Sequence, residues 1–396
     1  MKKQVAINAT SKIFKEGERD MKTFKFLAHR VEAWNRLLDF RLFKHLHKNP
    51  KLHWFWFWLA PYYWISAILA LFAKKGHETV DRYHFAGMRG ETILLKNYGW
   101  HFKLHYGRER MRERILEAVL DAQEKGEGVI GLGALTKNEE LTQGGQWIVN
   151  QLGDRLKVPL VHGDTATTVV ALKQFDAIRE KYGIDSPVFI TGATSKIGRA
   201  VCLVLARNKV FVRMFTRDAD RFMTIRKEAG EFGKYLSRAT SLADGQDCQL
   251  WLTGKSEPSG KKMLRVIPKG AIVMNFSVPN PLGENKLHPR ADLIAIEGGL
   301  LGYDSSKTDL FFTMRLRQDL TYACLGGTIV HAHEGWTHHE VGPVEVPMLH
   351  KVWDVLEEIG FFLPELPMAL AQETQEAREV RPLWQKLANA PISLVL

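Results

Sequence analysis

The stretch Val188–Val201, VFITGATSKIGRAV, constrains this chain more than any other: an apolar run, a glycine-bearing turn and the opening of a helix. Small residues are required there because a pyrophosphate approaches the backbone N–H groups at a helix N-terminus. Gly192 and Gly198 supply the two outer positions. Ser195 stands where a third glycine is expected; its hydroxyl can donate to a phosphate, and Lys196 adds positive charge. The turn residues Thr191, Gly192, Ala193, Thr194, Ser195, Lys196, Ile197 and Gly198 are therefore candidate cofactor contacts.

Strands are expected at 187–191, 210–215, 249–252, 271–275 and 293–296, alternating with helices, and this alternation argues for a parallel, doubly wound sheet. The second of these strands ends in Phe215-Thr-Arg217, roughly twenty residues past the turn, where an acidic residue would hold the ribose hydroxyls of NAD. Arg217 instead suits the 2'-phosphate of NADP, so NADPH is the expected cofactor. Upstream, residues 108–123 form an amphipathic helix, with Met111, Ile115, Val119 and Leu120 on one face. A buried strand at 129–133, a helix at about 139–156, a short strand at 158–161 and a helix at 165–181, with Asp164 and Thr165 as caps, complete a second α/β unit. The fold class is α/β: a Rossmann-like doubly wound domain at 183–305, a substrate α/β domain at 91–182 and a helical C-terminal part at 306–396. A basic, aromatic region occupies 1–90, helical in parts such as 22–46, and the tail after Pro364 reads as loose.

Residues 1–53 hold 13 Lys/Arg against 5 Asp/Glu, a surplus that seeks an acidic partner. No zinc-finger spacing, RNA-recognition signature or basic coiled coil accompanies it, so nucleic acid is not the expected partner. Residues 54–73, WFWFWLAPYYWISAILALFA, carry no charge, and four tryptophans and two tyrosines crowd the first 11 positions. A spanning helix places aliphatics at its centre and aromatics at its ends, and Pro61 would interrupt it. The segment therefore reads as lying in a membrane interface, with a true span or an aromatic-rich core contact as alternatives. Three cysteines cannot make a disulfide framework, and no cleavable signal is evident, so the expected location is cytoplasmic and membrane-associated.

Cys324 falls at the start of an expected helix, where unpaired N–H groups favour a thiolate. Cys202 reads as a buried structural residue. From about residue 108 to 362 the chain resembles the cyanobacterial long-chain acyl-ACP reductases and the carboxyl-terminal wax-biosynthesis domain of plant alkane-forming proteins. The matching pieces are Gly131-Leu-Gly133, His162-Gly-Asp-Thr-Ala-Thr-Thr168, Thr191–Gly198, Ala200-Val-Cys202, Glu297-Gly-Gly299, Tyr322-Ala-Cys324 and Glu334-Gly-Trp336; the plant domain is also matched by His331–Trp336 and His339–Gly342. Two differences stand out: Ser195 replaces a glycine of the reductase phosphate loop, and residues 1–90 match neither family. The resemblance implies that Cys324 takes an acyl group from a long-chain acyl-ACP or acyl-CoA, and that NADPH then reduces it to a fatty aldehyde. An aldehyde-processing enzyme would be a further partner. Thr165 and Thr167 are candidate oxyanion donors, and His162, His331 and His339 candidate proton donors. His331, His333, His338 and His339 lack a persuasive ligand pattern, so no metal is expected. The competing reading is a non-catalytic, cofactor-binding subunit of a membrane aldehyde- or alkane-forming complex. A dehydrogenase acting on a small polar substrate would need neither the cysteine nor the apolar segment.

Overall fold

A computed structural model describes residues 21–30, 65, 67–73, 76–126, 128–254, 260–277, 290, 292–304 and 319–366. Most of the 54–73 segment and the tail after residue 366 lie outside the described residues, as does 31–46 of the stretch expected to be helical. Within the described part of that stretch the structure differs: Thr23–Arg30 is a strand, β1. It pairs in parallel with both β3 (Met88–Tyr98) and β4 (Val129–Leu132). The first sheet runs β2-β3-β1-β4-β5, with β2 (His77–Phe85) antiparallel at one edge and β5 (Leu160–Val161) at the other. Phe24, Lys25, Phe26, Leu27, Ala28 and His29 are all buried, so β1 lies between two covered faces. Helix α1 (His105–Glu124) packs Met111, Ile115 and Val119 under this sheet, as its periodicity predicts.

The expected helix at 139–156 is instead α2 (Glu139–Thr142) and α3 (Gln146–Leu152). Gln143, Gly144 and Gly145 take φ of 51°, 64° and 90°, a left-handed run that no helix accommodates. Helix α4 (Asp164–Tyr182) then crosses to the second sheet, and its buried face joins one core with residues of both sheets.

The second sheet is six-stranded and wholly parallel, in the order β11-β10-β9-β6-β7-β8. Its strands are β6 (Val188–Thr191), β7 (Val212–Phe215), β8 (Leu236–Ala239), β9 (Leu250–Thr253), β10 (Ile272–Asn275) and β11 (Ile294–Glu297). The chain winds outward in both directions from the β6/β9 junction, where ligands of such sheets collect at the strands' carboxyl ends. Helices α5 (Lys196–Arg207), α6 (Ala219–Glu228) and α7 (Gly260–Val266) make connections. Every strand expected from 187 onward to 296 appears within two residues of its expected bounds.

The last third is not purely helical. A small antiparallel sheet joins β12 (Leu300–Tyr303), β13 (Leu320–Tyr322) and β14 (Phe361–Phe362) in the order β13-β12-β14. From it α8 (Ala323–Glu334) runs back against α4 and β4, and α9 (Leu349–Glu358) packs on α4. The C-terminal part therefore completes the first unit. Among the described residues no helix is long and apolar enough to cross a membrane.

Candidate functional site

A cavity of about 580 Å³ opens at the carboxyl ends of β6, β9 and β10 and is closed from the other side by the loop before α2 and the starts of α4 and α8. Its first wall is the glycine turn. Gly192 takes φ +68°, and a Cβ at Gly198 would lie 2.2 Å from the Gly192 carbonyl oxygen, so both positions need glycine for different reasons. Ser195 caps α5: its Oγ accepts from the Gly198 N–H at 3.2 Å, which leaves its hydroxyl proton free to donate. Gly192, Thr194, Ser195, Lys196 and Ile197 line the cavity, whereas Thr191, Ala193 and Gly198 are buried beneath it. Arg217 is exposed just beyond β7 and is not among the lining residues; Arg199 and Arg221 are. Arg199 pairs with Glu228, and Arg221 with Asp218 at 3.4 Å. On the same wall Asn275 holds the Glu297 carboxylate at 2.8 Å.

The second wall brings in residues that sequence reasoning did not assign to chemistry. Lys137 follows the turn after β4; its Nζ donates to the His162 carbonyl at 2.7 Å and lies 2.6 Å from Asp164 Oδ1. The other Asp164 oxygen is 3.1 Å from Lys196 Nζ, so this carboxylate bridges a lysine from each unit. Burial by itself would raise the Asp164 carboxyl. Lys137 and Lys196, helped by His162, overcome that and hold it far below the usual carboxylate range. Burial would likewise lower Lys137, but Asp164 more than restores it and keeps the ammonium charged above its ordinary value.

Cys324 stands where expected, at the second position of α8, and lines the same cavity. The expected thiolate is not favoured there. Burial pushes the thiol up, and the Asp164 charge adds to the effect, against Lys137. Cys202 is fully buried on α5, and burial pushes its thiol up as well.

The candidate histidines lie behind the cavity wall. His162 is fully buried; the Asp164 N–H donates to its Nδ1 at 3.0 Å, and Glu340 Oε1 is 3.0 Å from the same nitrogen. His331 packs edge-on against Trp336, with ring centres 4.8 Å apart, and burial lowers it to about 4. Burial lowers His339 too; its Nδ1 accepts from the Leu160 N–H at 3.1 Å. Thr167 lines the cavity but spends its hydroxyl on the Gly163 carbonyl at 3.1 Å. Thr165 is buried and accepts from the Glu345 N–H. Glu340, which sequence reasoning missed, bridges to β5 and accepts from the N–H groups of Gly163 at 3.2 Å and Thr165 at 3.1 Å. Burial would raise its carboxyl, yet His162 and these donors bring it down to about 2. Glu340 thus caps α4 from outside.

Residues 188–362 match the CER1-like, C-terminal domain family. The match begins at the first residue of β6 and ends at the last of β14, so it contains the glycine turn, Cys324 and Glu340 but not Lys137 or Asp164. Among curated proteins, "Very-long-chain aldehyde decarbonylase GL1-2" of Oryza sativa subsp. indica is 34% identical over 281 residues, 69% of this chain and 42% of that protein. "Very-long-chain aldehyde decarbonylase GL1-1" of the same source is 32% identical over 290 residues, 72% of this chain and 44% of that protein. "Protein CER1-like 2" of Arabidopsis thaliana is 26% identical over 310 residues, 76% and 46% respectively. The chain spans less than half the length of these relatives. Among solved structures, L-tryptophan dehydrogenase from Nostoc punctiforme aligns over 93% of this chain and 87% of its own, at 10% identity and a TM-score of 0.39. A hetero-hexameric glutamate dehydrogenase from Thermus thermophilus aligns over 94% and 83%, at 12% and 0.35.

The expected relation to plant wax-biosynthesis proteins therefore stands. The expected identity with a cyanobacterial acyl-ACP reductase does not, and neither does NADPH-dependent reduction of an acyl thioester through a Cys324 acyl-enzyme. The relatives are named for the removal of a carbonyl from an aldehyde, a different reaction.

Proposed function

We propose that this chain binds a nicotinamide dinucleotide in the cleft and uses it in oxidoreduction at the carbonyl carbon of a long-chain, aldehyde-level substrate of hydrocarbon or wax metabolism. The observation that carries this reading is the convergence of the glycine turn and the Lys137–Asp164–Lys196 cluster on one cavity. The substrate class follows the printed names of the relatives.

The turn fits the pyrophosphate by shape: at Gly198 a side chain would meet backbone, and at Gly192 the backbone is left-handed. Ser195, Lys196 and the first N–H groups of α5 would hold the phosphates. Arg217 and Arg221, just beyond β7, favour the 2'-phosphate and hence NADPH. Asp218, the acid at that position, is occupied: its Oδ1 accepts from the Arg221 N–H at 2.9 Å and Oδ2 pairs with the Arg221 side chain. A bound nicotinamide would supply the hydride that the carbonyl carbon takes up. Lys137 would supply the matching proton to the carbonyl oxygen in reduction. Asp164 keeps that ammonium charged and aimed. Hydride and proton together would convert the aldehyde to the alcohol, with no covalent acyl-enzyme.

The test pairs binding with turnover. Titration calorimetry with NADPH and NADH should show tighter binding of NADPH, abolished by Gly192→Val. Absorbance at the nicotinamide band, with a long-chain aldehyde, should show oxidation of NADPH that falls about 100-fold or more in Lys137→Met. Undiminished turnover in Lys137→Met would remove the proposed proton donor. Binding without turnover of any aldehyde would reduce the chain to a cofactor-binding module.

A further inference from the structure

The helix seen at residues 65 and 67–72 is apolar on both of its faces, which is the pattern of a helix covered all round. One face is covered by the protein itself: Ala67, Ala70 and Leu71 are buried. The other is not. Ile65, Ile68, Leu69 and Phe72, spaced i, i+3, i+4 and i+7, are between 49% and 65% exposed. Tyr106 extends the patch, its ring centre 6.1 Å from that of Phe72, and is itself 55% exposed.

The covered face is fastened with unusual thoroughness. The Arg114 guanidinium, fully buried, donates to the carbonyls of Ala70 at 2.7 Å, Leu71 at 3.1 Å and Ala73 at 3.0 Å, and to Asn97 Oδ1 at 2.9 Å. Arg110 adds longer contacts to Leu71 and Ala73. These are the carbonyls a helix C-terminus leaves unpaired, and a cation there also meets the negative end of the dipole. A Cβ at Gly76 would strike the Arg114 stem at 2.3 Å, so the glycine makes room for the clamp. The helix is thus held flat on α1 and presents its large side chains outward.

We propose that this outward face seats the protein on the surface of an anionic bilayer, lying in the interface without crossing it. Two observations select lipid over a second copy of the chain. Upstream of Ile65 in the sequence, residues 54–64 hold four tryptophans and two tyrosines, the residues that settle at headgroup depth. The sequence on either side is basic, with Lys74 and Lys75 following the helix and a surplus of 8 cations over residues 1–53; in the structure Lys103 and His105 are exposed next to Tyr106, and the exposed Glu113 of α1 is neutralised by its pair with Arg110. Such a combination of buried apolar area and cationic rim is what anionic headgroups attract.

The full chain should co-sediment with phosphatidylcholine vesicles containing phosphatidylserine about 10-fold more than with pure phosphatidylcholine vesicles, and less as salt rises. The double variant Leu69→Asp/Phe72→Asp should lose about 10-fold or more of that binding, since two charges then enter the interface. In the unaltered chain, hydrogen exchange at 67–72 should slow when anionic vesicles are added; this reading needs no variant. Equal binding of variant and parent, or exchange at 67–72 that ignores the vesicles, overturns the proposal. Dimerisation of the parent without vesicle binding, abolished in the variant, overturns it too and assigns the patch to a second copy.

Discussion

The first turns of α4 and α8 meet at the cleft with glycine against backbone, yet their two acids are held in opposite states. A Cβ at Gly163 would lie 2.2 Å from the Cys324 carbonyl, and one at Gly327 would lie 2.9 Å from Gly163 Cα. Both acids sit at the positive end of a helix, and burial opposes ionisation of each. Asp164 is nonetheless ionised far below its usual range, while the Cys324 thiol is pushed up. The difference lies in the ammonium groups: two are within 3.1 Å of Asp164, and the carboxylate they hold then repels charge on the sulfur. A helix dipole, worth about 0.3–1 kcal/mol, does not decide ionisation where an ion pair is so near.

Asp164→Asn leaves Lys137 and Lys196 facing each other with no carboxylate between, and denaturant unfolding should show a loss of about 3–5 kcal/mol. A loss below about 1 kcal/mol would mean the bridge is not what joins the two units. Glu340→Gln should cost about 1–3 kcal/mol, because the caps on Gly163 and Thr165 weaken and His162 loses its charged partner. The pH dependence has a defined sign: the folded carboxyl, at about 2, lies below its ordinary 4.5. Its contribution is present above 4.5 and is lost as pH falls from 4.5 towards 2, so the gap between parent and variant should close over that window. At the thiol, removing the Asp164 charge should speed iodoacetamide labelling of Cys324 about 3- to 10-fold at neutral pH. Unchanged labelling would point to burial alone. The smallest effect is expected for Cys324→Ala, with aldehyde turnover within about twofold of the parent. A collapse of activity there would restore a chemical role for the sulfur.

What was legible in the sequence was what is local. The strand, turn and helix of 188–201 announce themselves because their glycines are demanded within one short stretch, and the start of α8 at Tyr322-Ala-Cys324 is equally local. Strand β1 lies in a stretch that reads as helical because its side chains do not alternate: Lys25, Leu27 and His29 are buried opposite Phe24, Phe26 and Ala28. A central strand covered on both faces erases the period on which strand reading depends. Lys25 even poses as a surface residue, though it is buried 3.4 Å from Glu91. The second wall of the cleft was illegible for a different reason. Lys137 is an ordinary loop lysine until α4 delivers Asp164, and Glu340 caps residues more than 170 positions earlier. Nothing in the spacing of such residues records that they meet.

Lys196 has one ammonium and two claimants. It projects from the turn that would receive a phosphate, yet in this structure it rests on Asp164 of the opposite unit. An anion arriving at the turn bids against that carboxylate, so occupancy of the cleft and the grip between its halves become a single equilibrium, one that added salt should loosen from both ends at once.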